Sequence, residues 1–107
     1  DRADPNLGAS SRTMLHTIMA RGGREHMPFA ELLLARGARV DIRDELLKST
    51  PLGWACRWGR VHFVELLLKR GADPLEKDAE PWATPMAWAE KMRHENVLKV
   101  LRRHFHR

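Results

Sequence analysis

Cysteine is almost absent from this chain: Cys56 stands alone among 107 residues. A single thiol excludes an internal disulfide and fits a reducing compartment. No apolar run approaches the roughly 20 residues a membrane helix needs, and no signal-peptide pattern opens the chain, so a cytoplasmic, intracellular location is the expectation. The residue sets that carry catalysis are missing as well. There is no Gly-rich phosphate loop, no paired-carboxylate motif and no Ser-His-Asp arrangement. The six histidines do not form a metal-binding pattern either. His104 and His106 are two apart, whereas helical ligand pairs stand three or four apart, and no Cys or carboxylate set completes a tetrahedral site. These gaps predict a non-enzymatic protein with no cofactor and no bound metal.

What is present is ordinary for a soluble domain: 31% charged and 43% hydrophobic residues. The length suits one small domain. The 19 basic and 14 acidic residues are interspersed and leave a net charge of +5. That modest field favours acidic partners without demanding nucleic acid. The chain opens on Asp1, and a fragment of a longer protein is expected.

The strongest signal is internal repetition. Ser49 to Pro74 reads STPLGWACRWGRVHFVELLLKRGADP, and its wording recurs on both sides. Gly37 and Gly71 are 34 positions apart, as are Thr50 and Thr84, and Phe29, Phe63 and Val97 keep the same spacing. Thr13 precedes Thr50 by 37, with the extra residues around Arg24-Glu25-His26. A period of this length signals a solenoid of stacked helical units. In each unit a threonine is placed to cap a short first helix, and Pro51 and Pro85 follow at the first helical position. Gly59, and Gly22-Gly23 in the first unit, allow a sharp turn. A second helix then carries Val64, Leu67 and Leu68 on one face, and Gly37 or Gly71 stops it.

Thr-Pro-Leu before an Ala-containing short helix, then Val-Glu-Leu-Leu-Leu, then Arg-Gly-Ala-Asp, resembles the ankyrin repeat. The resemblance covers about residues 13 to 105. It implies an all-α repeat solenoid of helix-turn-helix units joined by β-hairpins or extended loops. The expected division is 1–12 as a remnant of a preceding repeat or a disordered N-terminus, 13–44 as the first repeat, 45–78 as the second and 79–107 as a C-terminal capping repeat. Ala3-Asp4-Pro5, which echoes Ala72-Asp73-Pro74, motivates the remnant. The chain departs from the family pattern in several places. The Thr-Pro-Leu-His tetrapeptide survives as Thr13-Met14-Leu15-His16, while Gly53 and Ala87 take the His place later. Lys48 and Trp82 fall near the hairpin glycine, and Arg93 replaces the glycine between the last two helices.

The resemblance implies that a partner meets the concave face, built from connector tips and the exposed side of each first helix. Late in the first helices the aligned positions are Ala20, Arg57, Lys91 and then Arg21, Trp58, Met92, and the tips supply Leu46, Leu47, Lys48, Pro81 and Trp82. Trp and Arg dominate binding hot spots. The candidate partner-binding set is therefore Arg57, Trp58, Lys91, Met92, Trp82, Leu46, Leu47 and Arg21. Trp54 and Trp88, 34 apart, either fill the gap between adjacent first helices or extend the same patch. Cys56 is expected to be a small buried residue, and Arg36, Arg39 and Arg43 are read as a solvated face. The resulting expectation is a monomeric module, with no membrane span, that binds another protein. A charge-driven nucleic-acid or anionic-surface binder, or a regulatory or scaffold segment of a larger multidomain protein, are the alternatives.

Overall fold

A computed structural model describes residues 12–105 of the chain. The expected N-terminal remnant, apart from Arg12, and the end at His106 lie outside the described residues. Six α-helices follow in order: α1 (Met14–Arg21), α2 (Met27–Ala35), α3 (Pro51–Arg57), α4 (Val61–Lys69), α5 (Pro85–Lys91) and α6 (Glu95–Phe105), with a single 3-10 turn at Arg24–His26 before α2. Among the described residues there is no strand, so the connectors are loops and turns rather than hairpins.

The helix starts follow from the threonines. Thr13, Thr50 and Thr84 are extended, and their side chains accept from the backbone N–H groups of His16, Gly53 and Ala87. Such a cap contributes about 1 kcal/mol. In α1 the His16 ring returns the favour: the Thr13 N–H donates to Nδ1 at 3.0 Å. This leaves Nε2 to carry the proton and donate to the Ser49 carbonyl at 2.9 Å, which ties α1 to the connector beyond α2.

The helix stops are equally local. Gly37 (φ 97°) and Gly71 (φ 96°) take the left-handed conformation. Beyond them the N–H groups of Ala38 and Ala72 reach back to the carbonyls of Leu33 and Leu67 at 3.0 and 2.9 Å. The first helices α3 and α5 end the same way, with Arg60 N donating to Ala55 O and His94 N to Ala89 O. Gly59 occupies the left-handed position after α3 (φ 70°) and Arg93 the equivalent one after α5 (φ 59°). The first unit differs from expectation. Gly22 (φ −80°) and Gly23 (φ −103°) are not left-handed; Gly22 is needed for close approach, because a Cβ there would lie 2.7 Å from the Ile18 carbonyl oxygen.

The helices form two layers. α1, α3 and α5 pack side by side, α4 and α6 back α3 and α5, and α4 packs on α6. The core between the layers holds Leu52, Ala55, Cys56, Val64, Leu67, Ala89, Val97 and Leu101, all buried. Burial of each large aliphatic side chain contributes roughly 1.5–3 kcal/mol. Adjacent units are also pinned by a repeated polar contact. Arg60 donates to the Met19 and Ala20 carbonyls at the end of α1, at 3.2 and 2.8 Å. His94, 34 positions later, donates Nε2–H to the Arg57 carbonyl at the end of α3, at 3.0 Å. Each supplies a donor where a helix C-terminus has unpaired acceptors.

Candidate functional site

The first helices and the two connectors build one surface. Its foundation is a set of buried polar contacts that lock the connectors. Asp44 accepts from the Leu47 N–H at 2.7 Å, the Ser49 N–H at 3.1 Å and the Trp54 indole N–H at 2.8 Å. The tip carrying Leu46 and Leu47 is thereby held against α3. Lys48 completes the turn in the left-handed conformation (φ 51°), the geometry a glycine there would have supplied. Ser49 accepts from the Trp88 indole N–H at 2.7 Å and donates to the Leu47 carbonyl at 2.8 Å. Gly53 makes this possible: a Cβ there would lie 2.9 Å from that of Ser49. The missing histidine of the second unit is thus replaced by a closer approach of backbone to connector.

The second connector is joined to the first through charge. Thr50 donates its hydroxyl proton to Glu76 Oε2 at 2.5 Å, while Arg43 pairs with Asp78 at 3.0 Å and stands 3.8 Å from Glu76 Oε1. Burial pushes the Glu76 carboxyl above its ordinary pKa, against the pull of the Thr50 hydrogen bond and of Arg43. Arg43 is therefore not part of a solvated face, as its sequence neighbours suggested, but a half-buried bridge. Arg39 pairs with Asp41 at the surface, and Arg36 is exposed.

On this base sits a ridge of rings and cations. Trp54 and Trp88 are both 5% exposed, so they fill the gap between neighbouring first helices. Trp54 stacks at a tilt on Trp58, with ring centroids 5.1 Å apart, and touches His16 edge-on at 5.2 Å. The Arg57 guanidinium lies 4.5 Å from the centre of the Trp58 ring and 5.3 Å from that of Trp88. Lys91 Nζ approaches the same Trp88 ring at 5.8 Å, and Trp82 meets its edge at 6.2 Å. Each cation–ring contact contributes about 0.5–1 kcal/mol where exposed and more where desolvated. Four of the candidate residues, Arg57, Trp58, Lys91 and Trp82, are thus brought together, and Trp88 is their hub. Met92 follows Lys91 and is exposed, Leu46 projects from the first tip at 77% exposure, and Leu47 is half-buried below it. Arg21 is exposed at the end of α1, one unit away, and no ring contact or ion pair joins it to the ridge. Trp58 is less free than expected: it is half-buried against the core.

Sequence reasoning missed Trp88 as the hub and missed Asp44, Ser49, Glu76, Arg60 and His94 altogether. The 34-residue spacing of Arg60 and His94 was a usable signal; the buried acids had none, because their partners lie in other units. Cys56 is fully buried and burial pushes its thiol far up, which suppresses a nucleophilic thiolate. Among the described residues no group of three His, Cys, Asp or Glu side chains is placed to hold a metal ion, and no helix is long and apolar enough to cross a membrane.

No curated protein sequence matches the chain. A family model described as ankyrin repeats (3 copies) matches residues 2–78 and stops before α5. Ankyrin repeats are generally protein–protein interaction modules without catalytic activity. Paired helices stacked in two layers, Thr-capped starts, glycine stops and this match agree: the chain belongs to the ankyrin-repeat family.

Proposed function

We propose that this chain is a non-enzymatic module that binds a protein partner through the surface formed by the ends of α3 and α5 and the two connector tips. The observation that carries the reading is the ridge of Trp58, Arg57, Trp88, Lys91 and Trp82, in which Arg57 bridges the Trp58 and Trp88 rings and Lys91 and Trp82 both meet Trp88. Aromatic and arginine side chains fixed in advance lose little entropy when a partner arrives. Their rigidity comes from below, where Asp44 and Ser49 hold the Trp54 and Trp88 indoles. The exposed parts of Trp82, Met92 and Leu46 add apolar area that nothing among the described residues covers.

The test is affinity capture from an extract of the source cells, comparing the natural chain with the double variant Trp82→Ala/Met92→Ala. Both side chains are at least a third exposed, and Trp82 gives up a single edge contact with Trp88, so the variant stays folded with a small shift in melting temperature. Trp58 is a poor choice because its ring packs on Trp54. The reading predicts a protein retained by the natural chain and lost by the variant. Equal retention by both chains counts against it.

A further inference from the structure

We propose that the partner segment is acidic and apolar, a peptide whose carboxylate seats on Arg57 and Lys91 while its apolar side chains lie on Trp82, Met92 and Leu46; this rests on the protein-binding reading above. The inference starts from Arg57. Its guanidinium is pressed against two indole rings, and its Nε is buried with no hydrogen-bond partner. Among the described residues none of its side-chain N–H groups donates and it forms no ion pair. The Trp54 and Trp88 indoles beneath it are matched by Asp44 and Ser49, and Arg43, whose Nε is likewise unmatched, already pairs with Asp78 through its guanidinium. A buried donor left without an acceptor is costly, so its retention at this half-buried cation points to an anionic acceptor supplied from outside.

Lys91 sharpens the point. It approaches the same Trp88 ring from the next unit and likewise has no ion pair among the described residues. Two cations on one indole, flanked by exposed apolar side chains, match a carboxylate beside a hydrophobic residue. Arg57 offers a planar fork for charge-assisted bonds, strengthened by the apolar rings around it. Nucleic acid fits less well. Arg57 already covers faces of Trp58 and Trp88 that a base needs for stacking.

The experiment is to pan a random peptide library against the immobilised full chain and against the Trp82→Ala/Met92→Ala variant. Affinities of the enriched peptides are then measured for Arg57→Gln and Lys91→Gln. The proposal predicts enriched sequences with Asp or Glu beside Leu, Phe or Trp. Each charge removal weakens them about tenfold or more, and added salt weakens them further. Lys91→Gln is an exposed change, so it reports even if Arg57→Gln perturbs folding. Enriched peptides without carboxylates, or indifferent to Lys91→Gln, overturn the acidic partner and leave the protein-binding reading standing. No enrichment over the Trp82→Ala/Met92→Ala variant overturns both. Displacement of the peptides by oligothymidylate at comparable concentration assigns the ridge to nucleic acid and overturns the proposal.

Discussion

Helices α2 and α4 carry nearly the same sequence, Phe-Ala-Glu-Leu-Leu-Leu against Phe-Val-Glu-Leu-Leu-Leu, yet they live in different surroundings. Phe63 and Leu66 on α4 are 3% and 6% exposed, whereas Phe29 and Leu32 on α2 are 42% and 45% exposed. In α6 the same two positions, Val97 and Val100, are again buried. These positions therefore face the preceding unit, and among the described residues nothing lies there for α2. The opposite end of the stack is built differently. The exposed side of α6 carries Asn96, Lys99, Arg102 and Arg103, a face suited to water. Burial in a stack is set by neighbours, so one helix sequence is core in one unit and surface in another.

The largest effects belong to the difference between α2 and α4. Phe63→Ala is expected to destabilise by about 3–5 kcal/mol, while Phe29→Ala costs less than about 1 kcal/mol, as an exposed change does. Urea midpoints of the two variants measure the contrast, and equal losses erase it. Next come the two interhelical turns. Gly59→Ala is expected to destabilise by more than about 1 kcal/mol, since it adds a left-handed side chain whose Cβ lies 2.7 Å from the His94 ring. Arg93→Gly does the reverse and stabilises by about 1 kcal/mol, by relieving a left-handed arginine. Thermal melts of the two variants should therefore move in opposite directions.

The first unit junction carries a response to acid. It depends on His16, whose burial lowers its pKa below the ordinary 6.5 despite the Ser49 hydrogen bond. The unfolded chain takes up a proton near pH 6.5 while the folded one does not. Stability is therefore present above that pH and falls as pH drops through it. The second junction has Gly53 in that place and so lacks a counterpart of the buried His16 contact. His16→Asn should flatten the stability profile between about pH 7 and pH 5, read from urea midpoints at each pH; an unchanged slope removes His16 from the account. The smallest effect is on the ridge: Trp82→Ala and Lys91→Gln should each shift stability by less than about 0.5 kcal/mol.

Much of the fold was legible because its signals are local. Thr13, Thr50 and Thr84 mark helix starts and Gly37, Gly59 and Gly71 mark stops, each acting on backbone groups within a few residues. The candidate ridge was legible in part, since the repeat period aligns Arg57 with Lys91 and Trp58 with Met92. What was not legible depends on distant partners. Arg43 meets Asp78, Trp88 meets Ser49 and Thr50 meets Glu76 only after stacking brings separate units together. Nor could local sequence reveal that Phe29 is exposed, because its own helix differs so little from that of Phe63. Gly22 and Gly23 misled for a related reason: glycine serves close approach as well as left-handed turns.

The central claim is that the stack and the ridge are separable, the first holding the fold and the second meeting the partner. It is tested most directly by measuring urea stability and binding of one enriched peptide together, for Phe63→Ala and for Trp82→Ala/Lys91→Gln. The account predicts that Phe63→Ala loses stability while its remaining folded fraction binds normally. It predicts that Trp82→Ala/Lys91→Gln keeps stability and loses binding about tenfold or more. If stability and binding fall together in the ridge variant, the separation fails.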